Sequence, residues 1–313
     1  MQTTPGSLAS PSSTATFTLE PRGSFSLATL ARFSCGLFTA SRSCRSTSER
    51  VTLAFPSDDG FRPAGVELAF DGRRVHGRVH GHEATPALVR QVARFLTTDH
   101  DGRPFDALVA ADPVLRRIAA AQPGFRPVVF YSPYVAAGWG VLSQRMRMSQ
   151  TAALLRRIAL ETGDTVRIGD EVLAAFPRPQ AILERAGFPG VPDVKWRRLQ
   201  GVAMAALDGR LDADRLAAEP YDVARARLLE LPGVGPWTAE LVLLRGVGPT
   251  DALPLSEPML HRAVAAAYGL PGDPSDAEVA RIAEAWRPFR MWTSILLVSH
   301  AFAAGLTRGP RPR

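Results

Sequence analysis

Residues 229–246 read LELPGVGPWTAELVLLRG, and the reading of this stretch decides the fold. Helical spacing runs up to Leu231, a Pro-Gly-Val-Gly turn follows, and a second helical run opens near Pro236. Gly233 and Gly235 admit positive φ and carry no side chains, so backbone N–H groups in the turn can come close to an oxyanion. The start of the second helix adds unpaired N–H groups and the positive end of its dipole, a combination suited to a DNA phosphate. Pro236 in the first helical turn forfeits no hydrogen bond, because that N–H would be unpaired anyway. A ligand-free turn between helices needs glycine too, but a full LPGVGxxTA between two amphipathic helices points to a phosphate grip.

Outward from the hairpin, most of the chain carries helical periodicity. The spacing predicts helices over 85–96, 107–121, 135–162, 170–175, 179–187, 194–209, 213–218 and 221–229 before the turn. Beyond it, helices are predicted over 238–245, 258–268, 276–286 and 292–305. Residues 16–80 differ: 16–19, 51–55, 65–70 and 74–79 alternate polar and apolar residues, with a short helix at 27–33. Turns fall at Asp58-Asp59-Gly60 and Asp71-Gly72, and strands are expected to stop after Ala84. The fold class expected is α+β, a small antiparallel-sheet N-terminal domain (16–84) followed by a mostly α-helical hairpin-containing domain (85–305). Ser/Thr/Pro-rich residues 1–15 and the basic end 306–313 read as tails.

With 46% apolar residues among 313, a chain disordered throughout is excluded. The sequence shows no apolar run approaching ~18 residues, and residues 1–21 lack the basic start and apolar stretch of a secretory signal. A soluble, intracellular protein is expected. Two cysteines, Cys35 and Cys44, are too few for a disulfide framework or a four-thiolate cluster. Net charge is +7, which fits a polyanionic partner. Lys195 is the only lysine, however, so the arginine excess has the look of coding bias and the charge alone says little. One lysine also means one possible source of a Schiff base.

The chain resembles the helix-hairpin-helix DNA glycosylases, most closely the DNA-3-methyladenine glycosylase II type. Four segments carry the likeness over about two-thirds of the sequence: 112–115 and 123–127 on the approach, 141–146 (VLSQRM, similar to "ILSQQxS"), the hairpin at 231–240, and 286–290 (WRPFR, similar to "WRPWR"). The resemblance implies base excision repair on duplex DNA with damaged bases, by a monomer without an organic cofactor, acting on the nucleoid in the cytoplasm. It implies a phosphate grip at Gly233, Val234 and Gly235, and a monovalent cation on the hairpin backbone around Leu231, Gly233 and Gly235. It also implies a wedge at Gln144, Arg145 and Met146, filling the gap a flipped nucleotide leaves.

The family's catalytic aspartate sits about 20 residues past the hairpin, at the start of the next helix. Along GVGPTDALPLSEPMLHRAV that position falls on Glu257, a departure that keeps the charge and adds one methylene. Its carboxylate would stabilise an oxocarbenium-like sugar or activate water. Asp251 is the second candidate, and a non-catalytic lesion-binding protein is the third reading. Trp237 stands where bifunctional relatives carry a lysine, which implies a monofunctional enzyme with water as nucleophile. Lys195 lies on a distant helix.

Candidate walls for the base pocket are Trp237, Leu241, Trp292 and His300, with Trp139, Phe33 and Phe38 considered. The nearest relatives often carry aromatics at the positions of Leu241 and Val298. Two aromatic walls that would hold a cationic alkylated purine are thus missing, and a glycosylase for deaminated or oxidised bases is the other substrate reading.

Overall fold

The computed structural model describes residues 15–37, 44–46 and 50–306, and no side chain of 33–37, 44–46 or 258. The expected tails lie outside the described residues, apart from Ala15 and Leu306, as does Phe38; Phe33 and both cysteines are described in backbone only. The N-terminal part is a five-stranded antiparallel sheet in the order β1-β5-β4-β3-β2. Its strands are β1 (Thr16–Leu19), β2 (Cys44–Ser46), β3 (Arg50–Pro56), β4 (Pro63–Phe70) and β5 (Val75–His80), with α1 (Leu27–Leu37) between the first two. Alternation sets the faces: Val75 and Val79 are buried, while His76 and Arg78 between them are exposed.

Strands do not stop at Ala84. Residues 170–175, read above as a helix, form β7 (Glu171–Ala174), paired with β6 (Thr165–Ile168) in a two-residue hairpin. Gly169 takes the positive φ, +58°, that the tight turn requires. The apolar run Val172-Leu173-Ala174-Ala175 fits either period. Alternating Val166 and Ile168 settle it by packing with Leu173, Ala175 and Ala54 on the sheet face opposite Leu53 and Phe55.

Two long predicted helices are each a pair. Residues 107–121 fall into α3 (Arg103–Ala111) and α4 (Pro113–Ala120), separated by Asp112, whose carboxylate accepts from the N–H groups of Val114 and Leu115. Residues 135–162 fall into α5 (Pro133–Ser143) and α6 (Met148–Thr162), separated by a turn in which Arg145 has φ +56°. The other helices lie close to expectation: α2 (Pro86–Phe95), α7 (Pro179–Leu183), α8 (Asp193–Leu207), α9 (Ala213–Ala218), α10 (Tyr221–Leu229), α11 (Pro236–Val242), α12 (Pro258–Tyr268), α13 (Asp276–Ala283) and α14 (Arg290–Ala303). A single π turn, Leu243–Val247, extends α11. No helix among the described residues is long and apolar enough to cross a membrane.

One core runs through both parts of the chain. Phe55 of the sheet stacks on Tyr131 at 4.8 Å, and Phe95 of α2 stacks on the same ring at 4.9 Å. Buried Gln91 donates to the carbonyls of Pro56 and Tyr131, so the predicted boundary at Ala84 is not a gap in packing. Helix α5 is buried along almost its whole length. Gly140 lets α11 close onto it: a Cβ there would lie 2.6 Å from the Thr238 methyl.

Candidate nucleic-acid interface and base pocket

The hairpin joins α10 to α11. Leu231 and Val234 anchor it by burial, and the Val234 N–H donates to the Leu231 carbonyl at 2.9 Å. Gly233 takes φ +87°, and the space a side chain would need is filled by Arg198 Cδ, 2.4 Å from the Cβ position. Gly235 is different from expectation. Its φ is −94°, open to any residue, and nothing lies within 4 Å of its Cβ position. What glycine supplies there is an uncovered backbone face at the start of α11.

The turn between α5 and α6 sits beside the hairpin and is tied to it. Gln144 donates from Nε2 to the Gly233 carbonyl at 2.8 Å and accepts from Arg198 Nη1 at 3.2 Å. The Lys195 ammonium donates to the carbonyls of Leu142 and Gln144 at 3.0 and 2.8 Å, satisfying groups the end of α5 leaves unpaired. Burial, then the neighbouring Arg198 charge, lowers the Lys195 pKa. Met146 packs against the core and Gln144 is held by protein groups, so of the three wedge candidates only Arg145, at the exposed apex, projects freely.

On the far side of α11 lies a pocket open to solvent, walled by two helices and the loop before a third. Trp237, Glu240, Leu241 and Leu244 line it from α11 and its π turn, a set at helical i, i+3, i+4, i+7 spacing. Met291, Ser294, Ile295 and Val298 line it from α14 with the same spacing, and Pro254, Ser256 and Glu257 close it from the loop before α12. The aliphatic Leu241 and Val298 are thus both pocket residues.

Glu257 is the N-cap of α12. Its Oε1 accepts from the Met259 N–H at 3.1 Å, which fixes the carboxylate at the start of the helix. Arg245, also in the lining, donates to the Val128 carbonyl at 2.6 Å. Desolvation pushes its guanidinium down to about 10, and Glu257 is the charge that opposes this shift. Glu240 and Arg245 were not singled out from the sequence. The signal for Glu240 was present, since it shares the helix face of Trp237 and Leu241.

Four sequence candidates lie outside the pocket lining. Asp251 accepts from Arg290 Nε at 2.7 Å on one carboxylate oxygen and from Arg287 Nη1 at 2.9 Å on the other, fastening its loop to the start of α14. Both oxygens are committed to guanidinium groups. Trp292 is fully buried among Phe105, Phe289 and His100, with the Arg126 guanidinium 5.4 Å from its ring. It is one residue, about 100°, away from the pocket-facing row on α14. His300 is likewise off that row. Trp139 is a core residue beside Phe130.

A helical body with a glycine hairpin and an adjoining pocket, joined to a small antiparallel sheet, is the architecture that the sequence resemblance leads one to expect. No family model matches the chain. It is 24% identical over 215 residues to the DNA-3-methyladenine glycosylase of Bacillus subtilis, covering 67% of this chain and 71% of that protein. It is 31% identical over 210 residues to the "Probable bifunctional transcriptional activator/DNA repair enzyme AlkA" of Mycobacterium tuberculosis, covering 64% of this chain and 41% of that longer protein. In fold it is similar to the 3-methyladenine DNA-glycosylase of Archaeoglobus fulgidus, with a TM-score of 0.76 and 19% identity over 94% of this chain and all of the other. The chain is thus similar in sequence to proteins named DNA-3-methyladenine glycosylase and shares its fold with a 3-methyladenine DNA-glycosylase.

Proposed function

We propose that the chain hydrolyses the N-glycosidic bond of a damaged base, an alkylated purine, in duplex DNA and leaves an abasic site for base excision repair. The observation that carries this reading is the position of Glu257: a carboxylate fixed at a helix N-terminus, in the wall of an open pocket, on the helix following the hairpin. The target base cannot be reached inside the stack, so it must be flipped into the pocket. The N–H groups of Gly233 and Gly235 hold a backbone phosphate, that of Val234 being taken by the Leu231 carbonyl, and Arg145 fills the vacated space. The C1′–N bond breaks with its electron pair leaving on the base, and the Glu257 carboxylate stabilises the positive sugar. Water then adds its oxygen to C1′, and its proton passes by way of the carboxylate to solvent.

The reaction proposed has no lyase step. Lys195 is engaged with two backbone carbonyls and lies outside the pocket lining. The carbonyls of Leu231 and Gly233 each accept one hydrogen bond and keep a second lone pair, which a monovalent cation could use to add positive charge beside the phosphate. Residues 16–84 and 85–305 act as one unit over their shared core, as a monomer on nucleoid DNA.

The test is release of methylated purine from methylated duplex DNA by the wild-type chain and by Glu257→Gln. Release is expected from the wild type, with a loss of about a hundredfold or more in the variant. Release that survives the substitution moves the chemistry away from Glu257. Tight binding to an abasic-site analogue with no release of any lesion base supports the non-catalytic reading instead.

A further inference from the structure

Resting on the reading of this pocket as the base site, we propose that Glu240 selects positively charged alkylated bases. The pocket walls are aliphatic where aromatic faces would hold a cation: Leu241, Leu244, Ile295 and Val298 line it, and the one ring, Trp237, is 39% exposed. Aliphatic walls bury a base without distinguishing a charged ring from a neutral one. Charge in the lining must therefore do the sorting, and three ionisable groups supply it: Glu240, Glu257 and Arg245. Their sum is one negative charge. A purine alkylated at a ring nitrogen brings one positive charge and neutralises the site, whereas a neutral base leaves the deficit in place.

Glu240 is built to serve in this way. Its Oε2 accepts from both the N–H and the hydroxyl of Ser256, which fixes the carboxylate before any base arrives. Its Oε1 accepts no hydrogen bond among the described residues, leaving an acceptor for an exocyclic amino group on the base. Once a base enters and displaces water from beside it, a fixed carboxylate attracts a cation more strongly than it would in bulk solvent. Glu240 also ties α11 to Ser256, the neighbour of Glu257, so a merely structural role must be separated from recognition.

The Glu240→Gln variant separates them, since its amide oxygen still accepts from Ser256 while the charge is gone. Single-turnover release is measured from matched duplexes carrying cationic 7-methylguanine or neutral hypoxanthine. Binding of the same duplexes is measured in a Glu257→Gln background, where no chemistry is needed. The preference for the cationic lesion is expected to fall by about tenfold in binding, with a parallel fall in release. Ser256→Ala, which loosens the carboxylate but keeps its charge, should weaken binding of both lesions and retain the preference. Equal losses for the two lesions in Glu240→Gln, or an unchanged preference, overturn the proposal while leaving the glycosylase reading intact. No base release by the wild type, together with no preference in binding, overturns both.

Discussion

The tie between hairpin and wedge turn makes a measurable claim about Gln144. Its amide bridges the Gly233 carbonyl, 2.8 Å from Nε2, and Arg198, 3.2 Å from Oε1. A neutral hydrogen bond contributes about 0.5–1.5 kcal/mol net and one to a charged group about 1.5–3. Both side chains are partly exposed, so the lower ends apply and the pair together is worth about 2 kcal/mol. Gln144→Ala releases the wedge turn from the hairpin, and DNA binding must then supply the order that the free protein lacks. Loss of the full amount would weaken binding about thirtyfold, and partial loss about tenfold. Fluorescence polarisation with a duplex carrying an abasic analogue gives the Kd, at several salt concentrations. The slope of log K against log salt should not change, because no phosphate-neutralising charge is removed. The decisive measurement is a double-mutant cycle with Arg198→Ala. Coupling of about 0.5–1.5 kcal/mol is expected, and additivity within about 0.3–0.5 kcal/mol would refute the strut.

Two further substitutions test residues assigned to structure. Lys195→Met removes an ammonium from two carbonyls at the end of α5 and should lower stability by about 1–2 kcal/mol without abolishing base release; borohydride should trap no covalent DNA complex with either protein, and a wild-type cross-link lost in the variant would establish lyase chemistry. Asp251→Asn breaks the pairs with Arg290 and Arg287 and should cost about 1–3 kcal/mol in denaturant unfolding, the half-exposed Arg287 contributing less; base release per folded molecule should stay within about twofold, and a hundredfold loss at normal stability would return Asp251 to the chemistry.

The hairpin was legible because two constraints, glycine and helix start, coincide in a few residues. The strands of the N-terminal sheet were legible because one face is wet and alternation shows. Residues 170–175 were misread because a short apolar run fits two periods, and only the packing of Val166 and Ile168 on Ala54 chooses between them. Helical periodicity ran straight through the break at Gln144–Arg147, which only the resemblance marked, as a wedge turn; there Arg145 takes φ +56° and Gln144 is tied to Gly233, 89 residues away. Glu257 could be counted to, but Glu240 and Arg245 acquire meaning only when α11 and α14 face each other across a cavity. Trp292 shows the reverse: a large aromatic near the right helix, turned by one residue into the core.

These failures share a cause that also bears on specificity. Helix α11 begins at the hairpin proposed as the phosphate grip and, with its π turn, forms one pocket wall, so one element carries both. From Gly235 to Leu241 is six residues, about 9 Å at 1.5 Å per residue, which fixes how far the pocket lies from the held backbone. A change in the hairpin backbone would displace phosphate and base together and mis-set Glu257. A change of side chain at 240, 241 or 298 alters only what the pocket accepts. The departures from the family pattern at Leu241 and Val298 fall in this second group, which is why the grip can be read from a motif while the lesion must be read from the pocket.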